Sequence, residues 1–246
     1  MSATPLAVPQ EIHDAPDTVL SSGEFPVALR WRGLEPYSQS FDAMRAFTDA
    51  RTPDTPDEIW LVEHPPVFTL GLAGDPAHLL LAESGIPLLK VDRGGQITYH
   101  GPGQIVGYPI LDLREWKRDV VAYVRAVEQA IIDAIAAFGI SGGRVEGATG
   151  VWVDGGKVAA IGVHISRWVT SHGFALNLDT DLAYFHYIVP CGLTKPVTSM
   201  RELGSDASRP AVVEALTQAF ARCFGYDAMR AGNAWEAGRT AACARP

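Results

Sequence analysis

The chain has 246 residues, 47% apolar and 20% charged, with a net charge of −8 at neutral pH; that is long enough for one sizeable core and too apolar for a disordered chain. The acidic balance argues against general binding to nucleic acid or to an anionic membrane surface, since both need a positive field, and no run of about 18 apolar residues is present to cross a bilayer. Three cysteines, Cys191, Cys223 and Cys243, form neither an even set nor a CxxC spacing, which speaks against a disulfide framework and a structural zinc site.

Residues 1–23 carry Pro, Ser and acidic side chains without periodicity and read as a loosely ordered segment. They hold no Lys or Arg, the first basic residue being Arg30, so a charged signal-peptide region is missing and a cytoplasmic location is expected. Phe41, Met44, Phe47 and Thr48 recur at helical spacing over residues 40–50, and a Pro and Asp cluster at 52–57 ends that helix. Strands follow at 58–62 and, after His64-Pro65-Pro66, at 67–70, with more at 87–91, 96–99 and 105–113. Residues 120–138 form the strongest helix, with Val120, Val121, Val124, Val127, Ile131, Ile135 and Phe138 on one apolar stripe and Gly139 at its end. Asp154-Gly155-Gly156 reads as the tight turn of a hairpin between 151–153 and 157–165. A strand broken at Gly173 covers 168–178 and runs antiparallel to its predecessor; a last helix starts near Pro210 and ends before Gly225. Residues 232–246, rich in Ala, Gly and Arg, read as a flexible tail. Hairpins with a few covering helices and no internal repeat make residues 24–231 a single α+β domain around a mixed sheet.

Two places carry chemistry. Pro190-Cys191-Gly192 sets a thiol where neither a helix interior nor a central strand is expected, on a constrained loop suited to a nucleophile. The stretch Arg93-Gly94-Gly95-Gln96-Ile97-Thr98-Tyr99-His100-Gly101-Pro102-Gly103-Gln104 packs four glycines, a cation and several hydrogen-bonding side chains into twelve residues, a recipe for close approach of backbone to a ligand. It is not a nucleotide fingerprint, because GxGxxG and the Walker A pattern are absent. Lys157 follows the hairpin turn, and beside Cys191 its ammonium would lower the thiol pKa from about 8.5 and could shuttle protons. Read without further context, Lys157 is equally an ordinary turn lysine, and the glycine-rich strand equally a structural one.

Four ordered segments, RGGQITYHGPGQ (93–104), GVWVDGGKVAAIG (150–162), HGFALNL (172–178) and IVPCGL (188–193), resemble the lipoyl(octanoyl) transferases, and the likeness extends over about residues 30–225. The resemblance implies the α+β fold shared with lipoate- and biotin-protein ligases and a thioester donor in place of ATP, so no cofactor is expected; the seven histidines form no HExxH or short His pair, so no metal is expected either. It implies transfer of an octanoyl group from octanoyl-acyl carrier protein to a lysine of lipoyl domains of 2-oxoacid dehydrogenases and of the glycine cleavage H protein. By the same resemblance Cys191 takes the acyl group as a thioester and Lys157 tunes its pKa. Arg93, Gly94, Gly95, Gln96, Ile97, Thr98, Tyr99, His100, Ala160, Ile161, Gly162, Gly173, Phe174 and Ala175 are then the substrate-binding residues. Small side chains at 160, 162, 173 and 175 would leave a slot for an aliphatic chain. The sequence departs from the family pattern at Ala148-Thr149, where a proline is more usual, and at His164, where a basic residue is common.

Three other readings stay open on residues alone: a Cys-His hydrolase using His100 or His172, an ATP-dependent ligase, and a noncatalytic acyl- or lipoyl-domain-binding module. Arg93, Arg167, Lys195 and Arg201 are the candidate contacts for an acidic carrier protein. Cys223 falls on the apolar face of the last helix and Cys243 in the tail.

Overall fold

The computed structural model describes residues 18–22, 25–80, 85–188 and 196–230. Its twelve strands, numbered in chain order, are β1 (Thr18–Ser22), β2 (Phe25–Leu34), β3 (Asp57–Glu63), β4 (Val67–Leu70), β5 (Leu88–Lys90), β6 (Ile97–His100), β7 (Gln104–Ile110), β8 (Gly143–Val145), β9 (Ala148–Val153), β10 (Gly156–Ser166), β11 (Val169–Asn177) and β12 (Asp227–Arg230). Nine form one mixed sheet in the order β12-β1-β2-β3-β7-β11-β10-β9-β8; β5, β4 and β6 form a second. Four helices, α1 (Tyr37–Asp49), α2 (Leu113–Trp116), α3 (Val120–Ala136) and α4 (Arg209–Phe224), complete the α+β arrangement.

The central strands β3 and β7 are buried on both faces, and the two-residue alternation of strand side chains splits them between two cores. Ile59, Leu61, Ile105 and Leu176 point to the side covered by α3 and α4. Trp60, Val62, Val106 and Ala175 point to the other, where Tyr37 and Met44 of α1 meet them. Helix α1 is the crossover between the parallel pair β2 and β3. A third cluster, Phe68, Leu70, Ile97, Tyr99, Phe185 and Ile188, fills the space around the small sheet.

The helix ends follow their local chemistry. Asp119 accepts from the Ala122 amide at 2.9 Å to cap α3, Pro210 sits in the first turn of α4, and Gly225 closes α4 at φ +76°. Three expectations need correction. Val120 and Val121 are not on the α3 seam: they are 43% and 70% exposed, because the capped first turn projects into solvent and packing begins at Tyr123 and continues through Val127, Ala130, Ile131, Ala134 and Ile135. Gly173 does not break β11. It pairs with Gly162 in an uninterrupted ladder, and its missing Cβ matters because one would stand 2.2 Å from the Gly107 oxygen of the neighbouring strand. Residues 18–22, inside the segment expected to be loosely ordered, pair as β1 with both β2 and β12.

The Asp154-Gly155 turn is as expected, both residues at positive φ. The turn between β10 and β11 has the same two-residue form, but Arg167 (φ +52°) and Trp168 (φ +69°) occupy the left-handed positions without a glycine. Among the described residues no helix is long and apolar enough to cross a membrane.

Candidate active site

A cavity of about 500 Å³ opens between the β6 region, β7, β10 and β11. The glycine-rich segment forms one wall because it is stitched from both sides. Gly94 N donates to Val163 O at 2.9 Å on β10, while Gly71, Leu72 and Ala73 donate to Gln96, Arg93 and Gly95 oxygens. A Cβ on Gly162 would meet Gly94 O at 2.9 Å, and a Cβ on Gly71 would meet Gly95 O at 2.4 Å. Two of the four small residues expected to leave an acyl slot, Gly162 and Gly173, thus give up their volume to neighbouring backbone. The width of the slot rests on Ala160 and Ala175, which are cross-strand partners.

Of the residues expected to bind substrate, Arg93, Gly94, Gly95, Gln96, Ile97, Thr98, His100, Ala160, Ile161, Gly162, Gly173, Phe174 and Ala175 all line this cavity. Tyr99 does not. It alternates to the opposite face of β6, where its ring packs on Phe68, Tyr184 and Phe185. Arg93 is buried and its guanidinium donates at 2.8 Å to both the carbonyl and the hydroxyl of Thr69, and to Gly94 O at 2.9 Å. This cation braces the wall, which removes it from the surface contacts expected for an acidic partner. Of the other three, Arg201 is paired with Asp206 and Asp179, Arg167 is exposed, and Lys195 lies outside the described residues.

Lys157 lines the cavity with its Nζ 4.7 Å from the centre of the Trp152 ring. Its backbone is tied to the chain beyond the cysteine segment: Lys157 N donates to Pro196 O at 2.9 Å and Thr198 N donates to Lys157 O at 3.0 Å. Phe185 and Val197, one on either side of residues 189–195, also line the cavity. Cys191 itself lies outside the described residues, as does Cys243. Cys223 is half-buried on α4 with its Sγ 3.9 Å from Asp133 Oδ2, and burial raises its thiol pKa.

A polar cluster at the inner end of the site joins His100, Gln104 and His172, which the sequence reading had named, to Tyr37, His64, Asp92 and Tyr108, whose part in it the sequence did not disclose. His100 Nδ1 donates to Gln104 Oε1 at 2.7 Å, Gln104 Nε2 donates to Asn177 Oδ1 at 2.9 Å, and Asn177 Nδ2 donates to Thr198 O at 2.9 Å. This chain fixes the His100 tautomer and leaves Nε2 to accept from Thr69 Oγ1 at 3.4 Å. His64 donates from Nδ1 to Glu35 O and accepts at Nε2 from the Tyr108 hydroxyl, both at 2.8 Å. His172 Nε2 meets Asp92 Oδ1 at 2.7 Å and its Nδ1 lies 3.3 Å from the Tyr37 hydroxyl.

Burial sets the protonation of this cluster. It lowers His64 to about 4 and holds His100 and His172 below the ordinary imidazole range, so all three are neutral at pH 7. It also pushes Tyr37 up to about 12 and Tyr108 well above the usual phenol value. Burial opposes the charge on Asp92, yet the hydrogen bond from His172 helps hold this carboxyl below its ordinary value, so the pair is a neutral imidazole on a carboxylate.

The chain resembles known proteins in sequence and in fold. The model of the lipoyl protein ligase A/B catalytic domain matches residues 36–221. An octanoyltransferase of Solibacter usitatus (strain Ellin6076) is 56% identical over 205 residues, which is 81% of this chain and 93% of that protein. One from Paraburkholderia xenovorans (strain LB400) is 60% identical over 176 residues, 68% of this chain and 73% of the relative. Among solved structures, the fold resembles lipoate-protein ligase A bound with ATP, with a TM-score of 0.67 at 15% identity over 80% of this chain and 85% of that one. It also resembles a chain from the structural analysis of a bipartite lipoate protein ligase and its E2 lipoyl domain from Thermoplasma acidophilum, with a TM-score of 0.64 at 15% identity over 80% of this chain and 84% of that one.

Proposed function

The chain belongs to the octanoyltransferases of the lipoyl protein ligase A/B catalytic-domain family, and from that premise we propose a two-step acyl transfer through Cys191. In the first step the Cys191 thiolate attacks the thioester of octanoyl-acyl carrier protein and the carrier thiol leaves. In the second, the amine of a lysine on a lipoyl domain of a 2-oxoacid dehydrogenase, or on the glycine cleavage H protein, attacks the Cys191 thioester. Lys157 promotes thiolate formation and then takes part in proton transfer from the amine. The reaction belongs in the cytoplasm, where the thiol stays reduced.

The observation that carries this reading is that Lys157, the glycine-rich segment and both flanks of the Cys191 segment converge on one cavity. The cavity is suited to the acyl chain: Ile97, Val106, Ile161, Val163 and Phe174 supply an apolar lining, and burying an eight-carbon chain at about 0.8 kcal/mol per methylene contributes about 5 kcal/mol. The histidines near its inner end are neutral and add no charge to that lining. The bipartite lipoate protein ligase of Thermoplasma acidophilum, described alongside its E2 lipoyl domain, shares the fold, which is in keeping with a lipoyl domain as acceptor.

The test is to incubate the protein with octanoyl-acyl carrier protein, without acceptor, and to map the adduct by peptide mass spectrometry under conditions that preserve thioesters. An octanoyl group on Cys191 that is discharged by an apo lipoyl domain is the expected result. Octanoylation of the acceptor with no adduct in a rapid-quench time course would mean direct transfer and would remove the cysteine from the route.

A further inference from the structure

We propose that His172 and Asp92 form a proton exit that carries the proton released by the second step from the acyl cavity to the half-exposed Asp92 carboxylate in a second cavity. The inference rests on the two-step reading above. In the first step the Cys191 proton ends on the departing carrier thiol, so nothing is left over. In the second, an ammonium becomes an amide nitrogen and loses two protons as the C–N bond forms and the C–S bond breaks. One returns to the Cys191 sulfur, and the other must leave the site on every turnover.

The His172 ring is shared between two cavities. It lines the acyl cavity of about 500 Å³ and also a second cavity of about 410 Å³, in which Asp92, His164, Arg45 and Arg167 take part. The ring is 2% exposed, whereas the Asp92 side chain on its far side is 45% exposed. Because an ionised carboxylate can only accept, His172 Nε2 carries the hydrogen toward Asp92, leaving Nδ1 as an acceptor beside the Tyr37 hydroxyl. A proton arriving at Nδ1, directly or through Tyr37, makes an imidazolium that Asp92 stabilises; loss of the Nε2 proton to Asp92 and then to water completes one passage, and the ring regains its Nε2–H tautomer before the next turnover. The surroundings suit a transient carrier. Burial, Arg93 and His164 disfavour a lasting positive charge, Asp92 favours it, and Phe41 and Tyr108 supply ring contacts. The protein also holds the residue at a cost: His172 has φ +56°, a left-handed backbone for a residue with a side chain, and its amide points at Met44 Sδ, 3.0 Å away.

The experiment follows the two steps separately in the full chain, using octanoyl-acyl carrier protein to form the acyl-enzyme and an apo lipoyl domain to discharge it. Asp92→Asn is expected to slow discharge about tenfold or more, well beyond any effect on acylation, because only discharge releases a net proton. Asp92→Ala, at a half-exposed position, should behave alike and recover discharge on addition of formate, in proportion to the ionised form, a response that a purely structural role would not give. Equal slowing of both steps, wild-type discharge in Asp92→Asn, or indifference to formate would overturn the exit while leaving the two-step reading intact. A wild-type protein that octanoylates the acceptor without an acyl-enzyme would overturn both.

Discussion

Replacing Gln104 by Ala tests whether the buried polar chain holds the site together. The side chain is 1% exposed, and its removal leaves the His100 Nδ1–H and the Asn177 Oδ1 without the partners they meet at 2.7 and 2.9 Å. An orphaned buried polar group costs about 1–3 kcal/mol, so two give about 2–6 kcal/mol. Gln104 borders the acyl cavity, from which water can reach one of the orphaned groups, so we expect the lower half of that range, about 2–4 kcal/mol, against a total stability of about 5–15 kcal/mol. Urea unfolding of Gln104→Ala, Asn177→Ala and the double variant measures it. Because the two residues share one hydrogen bond, their losses must fall short of additivity by about 0.5 kcal/mol or more. A loss below about 1 kcal/mol in Gln104→Ala, or strictly additive losses, would refute the idea that this chain is a connected support.

Further outcomes follow from other parts of the structure. Ala160→Leu narrows a half-buried position in the acyl slot and should raise KM for octanoyl donors more than for shorter acyl donors, read by competition between chain lengths. His64 has its folded pKa lowered to about 4, so its contribution is intact above the ordinary imidazole value and is lost as pH falls toward 4. In that window the unfolded state binds the extra proton and stability falls at up to about 1.4 kcal/mol per pH unit for this one group; a folded His64→Gln protein should show a shallower decline in urea midpoint. Val121→Lys, on the exposed first turn of α3, should change stability by no more than about 0.5 kcal/mol, whereas Ile131→Ala should cost about 2–5 kcal/mol. Lys157→Ala should fold and yet acylate Cys191 more slowly, most severely at low pH, where a thiol without a cationic neighbour is least ionised; an unchanged rate and pH profile would strip Lys157 of its proposed role.

Much of the architecture was legible because local signals coincided with it. Asp154-Gly155 could form only a tight hairpin turn, Pro210 and Gly225 bracket α4, and 58–62 alternated between large apolar side chains that serve two different cores. Strand β2 was missed because its Val27, Ala28 and Leu29 are buried consecutively, without alternation, and its Arg30 is accommodated by Glu58 at 2.8 Å on the neighbouring strand. The motif segments named much of the cavity lining, but not the direction of Tyr99, which depends on strand register, nor the task of Arg93, which depends on where Thr69 lies. Tyr37, His64, Asp92 and Tyr108 were invisible for a different reason. Their partners stand far away in sequence, His172 being 135 residues from Tyr37, so no local pattern records that they meet.

The tie between Lys157 and the chain that follows the cysteine segment bears on how the protein folds. The β10–β11 hairpin closes over a two-residue turn and needs no distant partner. Residues 196–201, in contrast, lie against strands already built: Lys157 bonds to Pro196 and Thr198, Met200 N reaches Asn177 O, and Arg201 N reaches Leu178 O. Such a segment gains its contacts only after β10 and β11 have found each other. Competence should therefore emerge after the sheet in a refolding time course, with burial of the strand amides preceding the first turnover.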